Sequence, residues 1–325
     1  MAPINSAQLD RARGCLLGQL AGDSLGSLVE FRNASDILAQ YPNGVTELAN
    51  GGHWNTLAGQ PTDDSELALL LARMLIQTGR YQAETALHAY RRWLESIPFD
   101  CGLTILLGLN GRPNSDSQAN GAMMRISPLA IFGALHPSEQ VGDWAMQDAA
   151  LTHPNPICMQ ANRLYCMAIS TAIREGTNGK ELYDLIVGWA EQAPIETDLM
   201  TWIHQAAEHP PAEYHHQMGW VRIAFGNALW QLLHADDLRS GVIDTVMRGG
   251  DTDTNGAICG ALLGAVYGQG KVPTQWKQSI FNCRPEATVP DVAHPRPREM
   301  WPVDALELAE QLLEGGCRHA EIQST

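Results

Sequence analysis

The stretch RGGDTDTNGAICGALLGAVYG, Arg248 to Gly268, decides how the rest of the chain is read. Its apolar half carries Gly256, Gly260, Gly264 and Gly268, one glycine every four residues. That spacing keeps them on one face of a helix. Glycine costs a helix interior about 1 kcal/mol per position relative to alanine, so a whole face of it implies close approach of another backbone. A partner with the same spacing stands near the other end of the sequence. There Gly14, Gly18, Gly22 and Gly26 recur within RGCLLGQLAGDSLG. The two helices are expected to pack as a central pair, with axes within about 10 Å.

Helical periodicity dominates between them. Helices are expected over roughly 6–29, 62–78, 82–95, 121–133, 138–150, 157–175, 179–192, 218–234, 238–248 and 255–268. A last amphipathic helix follows WPVDALELAEQLLEGG, with Asp304 as its cap and Gly315 and Gly316 as its end. No β-branched run with period two stands between turn residues. The Pro-rich stretch at about 283–302 reads as irregular, and no segment has the composition of a flexible interdomain linker. Residues 1–325 therefore read as a single all-α domain, a large helical bundle.

Composition narrows the function. The formal charge of −15 removes the counterion-release term that drives nucleic-acid binding, so no nucleic-acid partner is expected. No apolar run reaches the length of a membrane span, and LALLLARMLI is broken by Arg73. The N-terminus lacks a basic-then-apolar signal. The seven cysteines are scattered, form no C-x-x-C, and in part sit in apolar helical patterns. Buried free thiols in the cytoplasm are the expectation. The cluster His209, His215 and His216 has no metal-ligand spacing and reads as exposed loop.

The acidic half of the opening stretch needs its own account. Asp251, Asp253, Asn255 and Gly256 match the first half of a calcium loop, but position 12 is Leu262 and the glycines already run as helix. A helix cap needs one residue, whereas Asp251, Thr252, Asp253 and Thr254 stand together. The same grammar recurs in PTDDSELALLLARML, where Thr62, Asp63, Asp64, Ser65 and Glu66 open another apolar helix. If the two clusters face each other, Asp63, Asp64, Asp251 and Asp253 repel. Unit charges 4 Å apart cost about 4 kcal/mol at an effective dielectric near 20. Two divalent cations would balance the four charges, and oxygen ligands alone favour Mg²⁺, Mn²⁺ or Ca²⁺ over zinc.

With these motifs in order, the sequence resembles the ADP-ribosylglycohydrolases, also called the dinitrogenase-reductase-activating glycohydrolase type. The resemblance runs over about residues 11–270. It is carried by GCLLGQLAGDSLGSLVEF, PTDDSELALLLARML, SQANGAMMRISPLAI, LTHPNP and MRGGDTDTNGAICGALLGAVYG. It implies an all-α fold, a single large orthogonal helical bundle, with a dinuclear Mg²⁺ or Mn²⁺ centre. The implied metal ligands are Thr62, Asp63, Asp64, Asp251, Asp253 and Thr254, with Thr252 facing away or capping its helix. Ser65 stands where many members have Thr.

The resemblance also implies a proton-transfer or substrate-orienting role for Glu30, and a supporting role for Asp23. The loop from Ser117 through Asn120, Gly121 and Met123 matches the substrate-contact region, with Ala119 replacing the usual glycine. His153 matches a position near the ligand phosphate. Arg125 is read either as a phosphate partner or as a salt bridge supporting the loop. The implied activity is hydrolysis of the bond between ADP-ribose and a modified acceptor, foremost protein arginine. ADP-ribosyl-serine and O-acetyl-ADP-ribose are the alternative substrates. An immunity protein that binds an ADP-ribosyltransferase toxin is the non-enzymatic alternative. The implied partners are an ADP-ribosylated protein and, in that alternative, the transferase.

Overall fold

The computed structural model describes residues 4–324, with side chains to 320. Fifteen α-helices and no strand occur among the described residues. They are α1 (Ser6–Gly26), α2 (Ala34–Gln40), α3 (Asp63–Thr78), α4 (Ala83–Glu95), α5 (Leu103–Leu109), α6 (Ser127–Phe132), α7 (Ser138–Ala150), α8 (Pro156–Glu175), α9 (Gly179–Gln192), α10 (Thr197–Glu208), α11 (Val221–His234), α12 (Leu238–Met247), α13 (Thr252–Tyr267), α14 (Thr274–Asn282) and α15 (Ala305–Ser324).

The glycine ladders meet as an antiparallel seam. A Cβ on Gly14 would lie 2.4 Å from the Gly264 carbonyl oxygen, and one on Gly18 would lie 2.0 Å from that of Gly260. A Cβ on Gly22 would lie 2.0 Å from the Gly256 oxygen, and one on Gly26 would lie 2.2 Å from the Thr252 oxygen. The two backbones touch, so no side chain fits between them. Both helices are buried along this seam, α1 from Gly14 to Gly26 and α13 from Thr252 to Ala265. A helix apolar on all sides belongs inside. α8 packs on α13, where the Tyr165 hydroxyl donates to the Ile258 carbonyl at 2.8 Å.

Polar groups fix the ends of the seam. Thr252 Oγ1 donates to the Gly26 carbonyl at 2.7 Å, joining the start of α13 to the end of α1. The Asp23 carboxylate of α1 accepts from the backbone N–H groups of Thr62 and Ser65 at 3.2 and 3.1 Å. It thereby takes up first-turn donors of α3 that the Thr62 side chain leaves free. Both acidic helix starts are thus tied to α1.

Several elements differ from the sequence reading. Residues 121–125 form turns, and the helix there starts only at Ser127. The short α2, α5 and α14, and the longer α10, were not expected. α15 runs through Gly315 and Gly316 to Ser324. A Cβ on Gly316 would lie 1.7 Å from the Phe132 carbonyl oxygen, so this glycine permits a close crossing and does not end the helix. The Asp304 carboxylate binds Arg73 through two bonds of 2.8 Å.

The Pro-rich segment is irregular, as its composition implied, apart from a 3-10 turn at Arg298–Met300. It also penetrates the fold. Arg296 holds the buried Glu66 of α3 at 2.7 and 2.8 Å, and donates to the Ser96 and Ile97 carbonyls at 3.1 and 3.3 Å. No disulfide joins the cysteines among the described residues, and Cys15, Cys158, Cys166, Cys259 and Cys283 are buried. No helix of the described residues is long and apolar enough to cross a membrane.

Candidate metal and active site

The starts of α3 and α13 and the turn after α1 converge on a cavity of about 240 Å³. Its wall includes Glu30, Asp63, Asp100, Asn120, Gly121, His153, Asp251, Asp253 and Thr254. Carboxylate oxygens of Glu30, Asp251 and Asp253 lie within 4.8 Å of one another. Asp64 lies on the inner side of the cluster, with the Thr62 hydroxyl 2.9 Å from its Oδ2. Its Oδ1 is buried with no hydrogen-bond partner. The two acid clusters therefore meet, as the sequence required for a split site.

Among the described residues no Lys or Arg forms an ion pair with these carboxylates. Burial raises Asp63, Asp64 and Asp253 well above the carboxylate range, and neighbouring carboxylates raise them further. Burial pushes Glu30 up to about 8, with repulsion from Asp100 and Asp251 adding to it. Glu30 and Asp253 face each other within 4.8 Å, and Asp100 stands against Asp63. Carboxyls this close cannot all stay charged without protons or cations between them. The cluster must take up protons or cations, and an orphaned Asp64 oxygen among oxygen-only donors fits a hard divalent cation.

A linkage prediction follows for cation-free protein. Carboxyls raised in the folded state stabilise it fully below their unfolded values near 4. That contribution is lost as pH rises through the folded values, up to about 8 for Glu30. In EDTA the melting temperature is expected to fall between about pH 5 and pH 8. Excess Mg²⁺ or Mn²⁺ should remove most of the fall, because cations then replace the protons. Identical melting curves with and without cation across this window would contradict the assignment.

Neighbouring groups orient the acids. Asn120 Nδ2 donates to Asp251 Oδ2 at 2.7 Å, and Asn120 N–H donates to the Gly219 carbonyl at 3.0 Å. Trp54 Nε1 donates to Glu30 Oε2 at 2.8 Å. Phe31 follows Glu30 with a φ of 65°, a strained value for a bulky residue. Its N–H donates to the Gly250 carbonyl at 2.8 Å, and the Gly250 N–H donates to the Arg32 carbonyl at 2.9 Å. This pair of bonds holds Glu30 beside Asp251. Phe31, His53, Trp54 and Phe99 form a chain of aromatic contacts at 4.8, 4.7 and 5.8 Å between ring centroids.

Some expected residues do not reach the cavity. Ser117 is half-buried and bonds Thr104 Oγ1 at 2.8 Å. Met123 is buried in the core, and Met124 lines the cavity in its place. Thr62 has its hydroxyl between Asp23 and Asp64 and does not line the wall. Arg125 is no phosphate partner. Its side chain is fully buried against Asp148, with Nε 3.0 Å from Oδ1. Asp100 is the residue that sequence reasoning missed. It stands alone in PFDCG, outside any acidic repeat, and only its place just before a short helix marks it.

The ADP-ribosylglycohydrolase family model matches residues 5–318. The ADP-ribosyl-[dinitrogen reductase] glycohydrolase of Rhodospirillum rubrum is 32% identical over 285 residues, covering 83% of this chain and 90% of its own. The ADP-ribosylarginine hydrolase Tri1 of Pseudomonas putida is 25% identical over 290 residues, covering 84% and 74%. A solved ADP-ribosylglycohydrolase-related protein complex superposes with a TM-score of 0.78 at 25% identity, covering 96% of this chain and all of that one. With a family model spanning nearly its whole length and a shared fold behind it, the chain belongs to the ADP-ribosylglycohydrolase family.

Proposed function

We propose that this chain is a metal-dependent hydrolase that releases ADP-ribose from a modified protein arginine. The observation that carries the reading is the meeting of Glu30, Asp63, Asp100, Asp251 and Asp253 around one cavity beside Asn120, Gly121 and His153, with Asp64 buried behind them. Thr62, Asp63, Asp64, Asp251, Asp253 and Thr254 would hold two divalent cations, Mg²⁺ or Mn²⁺. These would supply Lewis-acid charge at the distal ribose and a water of lowered pKa.

The side chains do the rest. Asn120 keeps Asp251 aimed into the cavity. Trp54 fixes one oxygen of Glu30, and Glu30 in its protonated form delivers a proton to the departing acceptor nitrogen. Asp100, next to Asp63, takes the one proton that the attacking water gives up. Asn120, Gly121 and His153 contact the ADP-ribosyl group, and Ser117 and Met123 support that loop from behind. The acceptor leaves past Phe31 and Asp100. A guanidinium is a planar cation that stacks on aromatic faces and pairs with carboxylates. A serine hydroxyl uses neither property. An ADP-ribosyltransferase would install the mark this chain removes. The free thiols favour a reducing, cytoplasmic setting.

The test is incubation with arginine-modified and serine-modified protein, with Mg²⁺ or Mn²⁺ and with EDTA. Free ADP-ribose is expected from the arginine substrate with cation and not in EDTA. Release from the serine substrate alone would overturn the acceptor. Release from neither would overturn the activity.

A further inference from the structure

His153 lines the cavity with its ring fully buried. Its Nδ1 lies 2.7 Å from Thr152 Oγ1, while its Nε2 is buried with no partner in the protein. The protons in this contact can be counted. Arg125 Nη1 donates to Thr152 Oγ1 at 2.9 Å, and a guanidinium has no acceptor. The Thr152 hydroxyl accepts from Arg125 with one lone pair, and His153 Nδ1 is the acceptor within reach of its own hydrogen. A proton on Nδ1 would use the second lone pair and leave that buried hydroxyl hydrogen without this acceptor, so the arrangement that satisfies it has a bare Nδ1 and the ring's proton on Nε2.

The source of this order is well anchored. Arg125 Nε and Nη2 donate to Asp148 Oδ1 and to the Asp148 carbonyl at 3.0 and 2.9 Å. The Tyr90 ring lies 4.3 Å under its guanidinium carbon, and the Tyr90 hydroxyl donates to Asp148 Oδ2 at 2.9 Å. Burial, and then the Arg125 charge, push the His153 imidazole down to about 3, so it carries no second proton.

We propose that Arg125 and Thr152 are positioning residues that hold His153 as its Nε2–H tautomer, a neutral donor to an acceptor oxygen of the ADP-ribosyl group. This rests on the ADP-ribosyl reading above. A neutral donor suits a cavity that also holds Glu30, Asp251 and Asp253. A lysine or arginine on this wall would be drawn to those carboxylates and would compete with a cation. Gly121 keeps the approach open, since a Cβ there would lie 3.2 Å from His153 Cε1. The buried Nε2–H, unmatched within the protein, gains its bond when ligand enters.

Two measurements on the full chain test this. In nitrogen-15 spectra at pH 7, the His153 imidazole should show a protonated Nε2 and a bare Nδ1. Thr152→Val should draw the two shifts together as tautomers mix, and Thr152→Ser should restore the wild-type pattern. By calorimetry with excess Mg²⁺, His153→Leu should weaken ADP-ribose binding about 10–100-fold, the range of a hydrogen bond to a charged group. His153→Gln should recover most of it, because its amide places a donor near the position of Nε2. A protonated Nδ1 in the wild type, or wild-type affinity in His153→Leu, would overturn the inference. The expected tautomer without any binding of ADP-ribose by the wild type would overturn the ligand and the proposed function together, leaving the relay in place.

Discussion

Alanine at Asp251 or Asp253 is expected to lower release of ADP-ribose by at least about 10³-fold, at the upper end of losses seen when one charge-stabilising group is removed. Both side chains offer oxygens within 4.8 Å of Glu30, in a crowded acidic cluster. On the proposed metal site, losing either removes a cation ligand and also misplaces what remains. Asp253 lies against Glu30, and Asp251 is the acceptor for Asn120. An inactive variant is informative only if it is folded, and the electrostatics provide that control. Removing one carboxylate from a crowded, cation-free cluster relieves repulsion. In EDTA the variants should therefore melt above the wild type. With Mg²⁺ the order should reverse, because the wild type gains binding energy that the variants cannot. Full activity in both variants would reject the metal centre. Lost activity with lost cation-free stability would mean that these acids serve the fold.

Which parts of this molecule were legible beforehand has a physical pattern. The glycine ladders and the TDD and DTDT clusters could be read because local spacing fixes them. Period four marks a helix face, and a surplus of acids at a helix start exceeds what a cap needs. Thr252 could be set apart from the ligands, and it does point away, to the Gly26 carbonyl. Asp100 could not be read. Its loop is held by Arg296, about two hundred residues away, which ties Ser96 and Ile97 to Glu66. A single-residue contact across that separation leaves no periodic signal. The role of Gly316 was misread for a related reason. A glycine that ends a helix and one that admits a crossing backbone are the same letter, and only the Phe132 carbonyl distinguishes them. In α10 the signal was present, since Leu199, Trp202, Ile203 and Ala206 follow a helical face. In α5 and α14 the elements are too short to carry one.

Valine at Gly260 is expected to be among the most damaging single substitutions in the fold. The first atom of any side chain there would lie 2.1 Å from the Gly18 carbonyl oxygen and 2.7 Å from its carbon. The obstacle is backbone, so no rotamer change relieves it. The seam between α1 and α13 would have to part along its length, with Gly14 against Gly264 and Gly22 against Gly256 opening beside it. Ordinary overpacking costs roughly 1–3 kcal/mol because side chains can yield. Here the cost should exceed that range, in a protein whose total margin is on the order of 5–15 kcal/mol. The variant should be insoluble or melt far below the wild type. Gly188→Ala is the counterpart. Gly188 lies within α9 at an ordinary φ, and a methyl group added there would meet nothing within 4 Å. Alanine there should add about 0.5–1 kcal/mol. Opposite signs for the same class of change would show that contact across the seam, and not helix propensity, decides the outcome. The seam also reaches the chemistry. Its last step sets Gly26 against Thr252, one residue from Asp251 and Asp253 on one side and four from Glu30 on the other. Gly22→Ala, one turn earlier, would meet the Gly256 oxygen at 2.0 Å. If that variant folds at all, it should lose activity out of proportion to its stability, because the spacing of Glu30 from the two aspartates is set by how closely these backbones meet.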